Sequence, residues 1–513
     1  MASSGFAHWL VVLVETFAAL FMLLLVIAVL VVLATWVVDR NQTHNSVLRN
    51  YPVIGHFRYW FLHLGEFFRQ YLYSSDREEL PFNRAQRMWV YRAAKNSENT
   101  NAFGSTRDLH LEGVPFFVNA AFPALGETHV KPQPVRIGPF AREPYDHAAF
   151  FNISAMSFGA LSAPAVRALS IGAAKAGIWM DTGEGGLAPY HLEGGCDIVF
   201  EIGTAKYGVR TPDGKLDDQK LLAICAHQQV KMVSIKLGQG AKPGMGGLLP
   251  AAKVTPEIAE IRGIPVGQDS QSPNRHLDIA NVPQLMDAIG HIRHLTGKPT
   301  GFKAVFGDMA WIEELCDEIN QRGIQSAPDF IIVDGSEGGT GAAPQTLMEG
   351  VGLPLREALP ALVNTLLERG LRERIKVICS GKCIAAYDVA WALSMGADFV
   401  NSARGFMLAL GCIQSLQCNR NTCPTGITTQ NPRLQRGLVV TDKSERVAHY
   451  ARNVMKEVGI IAHSCGVEDP RELDRTHCRV MGDDGVSVPL IKLFPYPKAM
   501  PATAAPRTEQ GAA

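Results

Sequence analysis

The sequence predicts an α/β chain, a (β/α)8 TIM barrel preceded by an N-terminal transmembrane helix. From about residue 150, short β-branched runs alternate with helical stretches, and clusters of glycine and polar residues follow the runs directly. Near the N-terminus, 23 consecutive residues carry no charge. A composition of 47% hydrophobic and 19% charged residues excludes wholesale disorder, collagen and coiled coil. With 49 basic and 49 acidic residues, the chain has no basic excess and we expect no nucleic-acid partner.

The uncharged run is Thr16–Val38, within a predicted anchor at residues 1–40. At about 1.5 Å per residue it crosses the roughly 30 Å hydrocarbon core of a bilayer. A signal peptide is disfavoured because the run is long, lacks a basic start and has no small-residue cleavage site. A buried core helix is disfavoured because the run has no polar face. Arg40, Arg49 and Arg58 follow the run, which predicts a single-pass protein of the cell membrane with its large C-terminal part in the cytoplasm.

Residues 41–134 form a linker and a segment that precedes the barrel. Aromatic side chains between Tyr51 and Tyr73 alternate there with Arg58 and Arg69. This mixture is typical of a helix in the membrane interface. A helix packed on the main domain is an equal alternative.

Eight runs predict the barrel strands. Continuous apolar runs such as Phe330–Val333 indicate strands buried on both faces, hence parallel pairing. The predicted strands are Asn152–Met156, Trp179–Thr182, Ile198–Gly203, Val233–Leu237, Gly301–Val305, Phe330–Asp334, Lys376–Ser380 and Phe399–Ala403. The predicted helices between them include Ala163–Ala176, Val282–Leu295, Trp311–Arg322, Leu355–Glu368 and Ala385–Met395. An open doubly wound sheet is the alternative, but no G-x-G-x-x-G follows the first strand, and barrel enzymes carry their polar residues at the strand ends.

Three of the ten cysteines stand close together, as Cys412-x5-Cys418-x4-Cys423-Pro424. Closely spaced thiolates followed by proline are typical of iron–sulfur sites. Structural zinc usually takes four ligands and a Cys-x2–4-Cys pair, which this spacing does not supply. From the spacing alone, core cysteines or a chance cluster remain equally open.

Two other features point to a bound anion. Glycine-rich loops at 334–344 and 380–382 follow buried strands, and backbone N–H groups in such loops can hold a phosphate, although most glycine loops are only turns. Lys236 and Lys303 lie inside apolar runs, where a charge needs a partner and where a lysine would suit a flavin that gains negative charge on reduction. The alternative is that they point out of the barrel mouth and pair locally.

Three blocks together resemble the FMN-binding synthase domain of glutamate synthases. They are ISAMSFGALS…TGEGG (153–186), IKLGQGAKPGMGGLLPAAKV (235–254), and DGSEGGTGAAP through ALGCIQSLQCNRNTCPTGITTQ (334–430). The resemblance implies an FMN-dependent barrel domain at 135–480, with an iron–sulfur loop at 412–423. A C-terminal extension occupies 481–513, with a loose tail from Ala502.

The resemblance also assigns residues to roles. Cys412, Cys418 and Cys423 would ligate a [3Fe–4S] cluster. Glu184, Lys242 and Arg262 match catalytic positions that handle the 2-oxo acid and the flavin. The residues implied around FMN are Ser154, Ala155, Met156, Ser157, Gln239, Lys303, Gly338, Gly339, Thr340, Gly341, Gly381 and Arg404.

The implied reaction reduces the imine of 2-oxoglutarate and ammonia to L-glutamate. No nucleotide-binding fingerprint is found, so electrons are expected from a partner, either a ferredoxin-like protein or an NAD(P)H-oxidising subunit, or from the membrane. No amidotransferase domain precedes the barrel, so a separate glutaminase subunit is among the expected partners, together with membrane lipid. Leu248 stands where the family usually has Gln, which leaves the oxo acid open.

Two other hypotheses remain. The first is a flavin enzyme of the same fold that acts on another 2-oxo or amino acid, or that serves as a membrane-tethered electron-transfer subunit. The second is a non-catalytic, membrane-tethered scaffold. The cysteines and the charged residues Glu184, Lys242 and Arg262 argue against the scaffold, which would not need them.

Overall fold

The structure is a computed structural model that describes residues 2–97, 100–125 and 132–497, so the predicted tail from Ala502 lies outside the described residues. The chain divides into two compact units, Met1–Ala85 and Gln86–Ala513. The α-helices are α1 Ala2–Asn41, α2 Ser46–Asn50, α3 Ile54–Phe68, α4 Arg84–Ala94, α5 Ala163–Ala176, α6 Pro189–Leu192, α7 Asp218–Cys225, α8 Pro256–Arg262, α9 Val282–Thr296, α10 Ala310–Arg322, α11 Gln345–Gly350, α12 Leu355–Glu368, α13 Ala386–Ser394, α14 Arg404–Leu410, α15 Pro432–Gln435, α16 Val440–Ser464 and α17 Leu490–Leu493.

The strands fall into one closed barrel and three small sheets. They are β1 Pro115–Phe117, β2 Val135–Ile137, β3 Tyr145–His147, β4 Phe151–Ile153, β5 Met180–Asp181, β6 Ile198–Ile202, β7 Val230–Lys236, β8 Leu248–Leu249, β9 Ser270–Gln271, β10 Thr300–Val305, β11 Phe330–Asp334, β12 Lys376–Ser380, β13 Phe399–Ser402, β14 Cys478–Met481 and β15 Ser487–Pro489. Outside the barrel, β1 pairs with β14 and β14 with β15, β2 pairs with β3, and β8 pairs with β9, all antiparallel.

The first unit contains the long helix α1. Its stretch His8–Asn41 is long and apolar enough to cross a membrane, by length and composition alone, and it is the one such helix among the described residues. α2 and α3 follow it, and a π-helical turn at Arg69–Tyr73 extends α3.

The second unit contains the predicted barrel. Eight parallel strands close in the order β4, β5, β6, β7, β10, β11, β12, β13, and β13 pairs back with β4. All eight predicted runs become barrel strands, and the (β/α)8 prediction is confirmed. Gly177, in the left-handed conformation at φ 69°, ends α5 at the predicted residue, Ala176.

The barrel interior is packed at the end opposite the candidate site. Trp179, Val199, Met232, Phe330, Ile332, Ile378 and Phe399 form its buried cluster. Ile137 and Tyr145 belong to the same cluster, so the hairpin β2–β3 closes this end of the barrel.

The helix α16, at 25 residues, has no counterpart among the predicted elements. It packs along α5, where Gly172 allows the close approach. A Cβ at Gly172 would lie 2.5 Å from Cβ of Val447. α16 therefore covers the first βα unit as an addition to the barrel.

A buried ion network joins three elements near the start of β10. Oδ2 of Asp329 accepts the backbone N–H of Thr300 at 2.8 Å. Its Oδ1 accepts from Arg374 at 2.8 Å and from Arg293 at 3.3 Å. Since both Asp329 and Arg374 are buried, each charge depends on the other.

We predict that Asp329→Ala destabilises the barrel by about 3–5 kcal/mol, because it leaves a buried guanidinium without its counter-charge. Chemical denaturation followed by tryptophan fluorescence would measure the change. Asp146→Ala is the control, because the ion pair of Asp146 with Arg136 is exposed and should be worth at most about 1 kcal/mol. Equal losses for the two variants would contradict the prediction.

Candidate active site at the carboxyl ends of the barrel strands

The structure brings the predicted site residues to one end of the barrel. Most of them lie on loops that leave the carboxyl ends of different strands, where barrel enzymes carry their chemistry. Ser154–Ser157 follow β4, Glu184 follows β5, Gln239 and Lys242 follow β7, Lys303 lies in β10, Gly338–Gly341 follow β11, Gly381 follows β12, and Arg404 follows β13. Arg262 ends the short helix α8 and reaches back to the loop after β4, where it donates to the Phe158 carbonyl at 3.1 Å.

Glu184 is a half-buried carboxylate paired with Lys236. Nζ of Lys236 lies 2.9 Å from Oε1 of Glu184 and donates to Oε1 of Gln239 at 2.6 Å. A Cβ at Gly247 would lie 2.3 Å from the same Oε1, so a larger residue there would displace the carboxylate from this position. Burial alone would raise the pKa of Glu184, but Lys236, Lys242 and Arg262 outweigh it and lower the pKa. Glu184 is therefore an anion at neutral pH.

Two further buried cations stand near Glu184. Nζ of Lys242 donates to the carbonyl of Ala342 at 3.2 Å, and burial lowers its pKa to about 8. Burial also lowers the pKa of Arg262, whose Nε is buried without a hydrogen-bond partner. The guanidinium of Arg262 lies over the Tyr207 ring, 5.2 Å from its centre. Together, Lys242 and Arg262 supply positive charge for an anionic ligand beside Glu184.

Lys303 lies among buried carboxylates. Its Nζ is 3.8 Å from Glu201 and 3.9 Å from Asp334. Burial alone would lower the pKa of Lys303, but the charges of Glu201, Asp334 and Asp181 outweigh it and raise the pKa. Burial and the charge of Glu201 raise the pKa of Asp181 well above its ordinary value, which favours a proton on that carboxyl.

Some buried polar atoms in this region have no hydrogen-bond partner. Both carboxylate oxygens of Glu201 and Oγ of Ser234 are in this position. Glu201 and Ser234 lie side by side on the neighbouring barrel strands β6 and β7. Because buried polar groups are nearly always hydrogen-bonded, these atoms fit contacts to a polar ligand.

The loops after β11, β12 and β13 form a second positive region. Arg404 donates to the carbonyl of Glu337 at 2.6 Å and lies directly against Gly339. Burial lowers the pKa of Arg404 to about 10. Burial and the charge of Arg404 lower the pKa of Lys382, so the two cations lie close to each other. Gly381 stands against Gly335 at the start of the neighbouring loop. Two close cations on glycine-rich loops fit a phosphate group.

The three predicted cluster cysteines lie on one loop, residues 411–430. The backbone N–H of Gln414 donates to Sγ of Cys412 at 3.4 Å, and the Thr425 hydroxyl lies 3.4 Å from Sγ of Cys423. Burial raises the pKa of Cys412 to about 11 and raises that of Cys418. Burial would also raise the pKa of Cys423, but hydrogen bonds from Thr425 and its neighbours outweigh it and lower the pKa.

N–H and hydroxyl groups aimed at sulfur fit a site where thiolates bind metal. Among the described residues, no three His, Cys, Asp or Glu side chains are grouped as ligands of one metal ion. Thiolates that bind a single metal ion all lie about 2.3 Å from it, so they converge on one point. The thiolates of an iron–sulfur cluster bind different iron atoms and do not need to converge in this way.

The cysteine loop is attached to the loop after β4. Nε2 of Gln430 donates to the carbonyls of Gly159 and Leu161 at 3.0 and 2.9 Å. Nζ of the buried Lys253 donates to the carbonyls of Ala160 at 2.7 Å and Cys418 at 3.3 Å. The cysteine loop and the barrel mouth are therefore one connected site.

Several site residues were missed by the sequence analysis. Asp181, Glu201 and Lys253 are buried charged groups, and Lys382 lies beside Arg404. The signal was present for Glu201, because it interrupts the apolar run of β6 as Lys303 interrupts that of β10. Both lysines that lie inside apolar runs are buried and paired with carboxylates, rather than pointing out of the mouth.

Comparison with known proteins places the same region in one family. Residues 133–468 match the family described as the conserved region in glutamate synthase. A glutamate synthase large subunit-like protein, YerD, of Bacillus subtilis is 38% identical over 90% of this chain and 95% of its own length. An archaeal glutamate synthase [NADPH] of Methanocaldococcus jannaschii is 33% identical over 64% of this chain and 61% of its own length. This chain thus spans about three fifths of the archaeal relative and nearly all of the Bacillus one.

Proposed function

Because the chain belongs to the glutamate synthase family, we propose that it is an FMN- and iron–sulfur-dependent oxidoreductase that acts on CH–NH2 groups. Its reaction would reduce the imine of 2-oxoglutarate and ammonia to L-glutamate, with electrons from an external donor. One observation carries the proposal. The loop with Cys412, Cys418 and Cys423 is hydrogen-bonded to the loop after β4, at the barrel mouth where the buried charges converge.

The residues present fit FMN. When bound, FMN would supply the hydride that reduces the imine. Arg404 and Lys382, with the loops of Gly338–Gly341 and Gly381, would hold its phosphate. Lys303 would place a positive charge against the ring, and Glu201 and Ser234 offer it buried oxygens that have no hydrogen-bond partner in the protein. Ser154–Ser157 and Gln239 would line the remaining edge.

The other side of the mouth fits a dicarboxylic oxo acid. Lys242 and Arg262 would pair with its carboxylates, which desolvated cations bind strongly. Glu184, kept ionised by three cations, would stabilise the positive charge of the iminium that forms from the oxo acid and ammonia. Its lowered pKa makes Glu184 better suited to this electrostatic role than to carrying a proton.

The cysteine loop fits a [3Fe–4S] cluster by its donor set of three thiols with N–H and hydroxyl partners. When bound, such a cluster would supply single-electron transfer between the external donor and the barrel. The chain's own part is to hold the thiolates against the loop after β4. A ferredoxin-like protein or an NAD(P)H-oxidising subunit is the proposed donor, and a separate glutaminase subunit is the proposed source of ammonia.

Leu248 favours a second candidate, the same chemistry on another oxo acid. Leu248 lies on β8, directly opposite the exposed Gln271 on β9. Opposed residues of an antiparallel pair project from the same face, so Gln271 can present an amide beside Leu248. We therefore keep 2-oxoglutarate as the first substrate, with a less polar oxo acid as the alternative.

We also propose that α1 crosses the cell membrane once. Its length and apolar composition support this, and the arginines that follow it favour a cytoplasmic barrel.

We predict that chemically reduced enzyme, mixed with 2-oxoglutarate and ammonium, is reoxidised and yields glutamate. Glutamate would be measured by chromatography and reoxidation by the recovery of flavin absorbance. Glu184→Gln should slow turnover about 10²–10³-fold, because an anion that stabilises the transition state is lost, while the flavin stays bound. Turnover only with another oxo acid in a parallel panel would favour the second candidate, and a colourless reconstituted protein would refute both.

The pKa of Lys242, about 8, predicts the alkaline side of the pH profile. As pH rises through about 8, the ammonium group loses its charge, so KM for 2-oxoglutarate should rise. In Lys242→Arg the charge persists, and the rise in KM should move to higher pH. Steady-state kinetics from pH 6.5 to about 9.5 would measure this shift. A lysine with an ordinary pKa stays charged over this range of pH. The same alkaline limb in both proteins would contradict the role of Lys242.

Cys418→Ala should lose the bound iron and keep the flavin, because one thiolate of three is removed while the phosphate loops are untouched. Iron analysis and the visible spectrum would measure the two cofactors separately. Cys316→Ala is the matched control, since Cys316 is a buried thiol of α10, outside the cysteine loop. Unchanged iron in Cys418→Ala would show that the ligand assignment is wrong.

A further inference from the structure

The helix α3 presents an uncovered apolar face. Ile54, Phe57, Phe61, Leu64 and Phe68 recur at intervals of three and four residues, which places them on one side of a helix. The side chains of Ile54, Phe57, Phe61 and Phe68 are 72%, 56%, 60% and 44% exposed. Trp60, at the border of this face, is 55% exposed.

The opposite side of α3 is mixed in character. His56, Tyr59, Leu62 and His63 lie there, and Arg58 lies on the border between the two sides. Exposed aromatic side chains with arginine and histidine among them are typical of a segment at the membrane–water interface. Large contiguous apolar patches are rare on soluble proteins and mark surfaces that contact a membrane or another protein. The exposed face of α3 is therefore expected to be covered by one of these.

The hydrogen bonds that join α3 to the end of α1 indicate that a lipid bilayer covers the apolar face of α3. Asp39, near the end of α1, accepts the backbone N–H of Val53 at 2.9 Å and lies 3.0 Å from Nε2 of His56. The Asn45 side chain also donates to the Tyr59 hydroxyl at 2.9 Å. These contacts fix α3 to the end of the one described helix that is long enough to span a bilayer.

We infer that α3 lies in the membrane interface and binds lipid through the face of Ile54, Phe57, Trp60, Phe61 and Phe68. The aromatic side chains occupy the boundary between headgroups and acyl chains, and Arg58 reaches the phosphates from the side of the helix. The chain is then held at the membrane by two elements, α1 across it and α3 along it. This inference does not depend on the chemistry proposed for the barrel.

The test is photo-crosslinking of the full chain in vesicles of phosphatidylcholine and phosphatidylglycerol. A benzophenone amino acid would replace Phe57 on the apolar face, and His63 on the opposite side of the same helix as matched control. Adducts would be identified by mass spectrometry of the peptides. We expect lipid adducts at position 57 at a yield several-fold higher than at position 63. Phe61, one turn further on, offers a second position with the same expected result if the first variant does not fold.

Replacement of Leu25, in the middle of α1, separates this inference from the membrane anchor. Lipid adducts at position 25 without adducts at position 57 would overturn the role of α3 and leave the anchor standing. Adducts from position 57 to peptides of residues 86–513, or to a second copy of the chain, would overturn it in favour of a protein partner. Lipid adducts at neither position would overturn the membrane assignment of both helices.

Discussion

The pairing of buried charges at the carboxyl ends of the strands is the constraint on which the site depends. Lys236 and Lys303 extend from strand interiors, where an isolated ammonium would be costly. Each is balanced by carboxylates from other strands or loops, Glu184 for Lys236, and Glu201 with Asp334 for Lys303. Because every pair joins two different βα units, the arrangement exists only when these units are packed together. Fold and site are therefore stabilised by the same contacts.

The sequence predicted the barrel well because strands buried on both faces appear as continuous apolar runs. It also identified the two lysines, since a charge inside such a run stands out. It did not identify their partners. Glu201 meets Lys303 only because β6, β7 and β10 are neighbours in a particular register, and no local pattern contains that register. The addition α16 lies outside the βα repeat, although Val447, Tyr450, Val454 and Val458 recur in it at helical spacing. Its docking on α5 depends on the close approach at Gly172, which the local pattern does not contain.

The cysteine loop shows a different limit of sequence reasoning. Spacing alone left core cysteines as open as a cluster, because three nearby thiols carry no information on what surrounds them. The structure adds the donors, with Gln414 and Thr425 directed at sulfur, and the attachment through Gln430 and Lys253 to the loop after β4. Non-glycine residues with positive φ, Gln414 at 58° and Leu416 at 55°, give this loop its curvature. Short-range sequence preferences would not predict either conformation.

The charges at the barrel mouth also bear on how FMN and an oxo acid would be arranged there. Arg404 follows β13 and Lys242 follows β7, and both side chains contact the loop after β11, Arg404 against Gly339 and Lys242 at the Ala342 carbonyl. Lys303, in β10, is balanced by Glu201 and Asp334, so the region around it is less positive. A ligand with a phosphate at one end and a neutral ring would be oriented by this pattern, with its phosphate toward Arg404 and its ring toward Lys303. The carboxylates of a second ligand would be drawn to Lys242 and Arg262, and the shared loop after β11 would bring the two ligands close together.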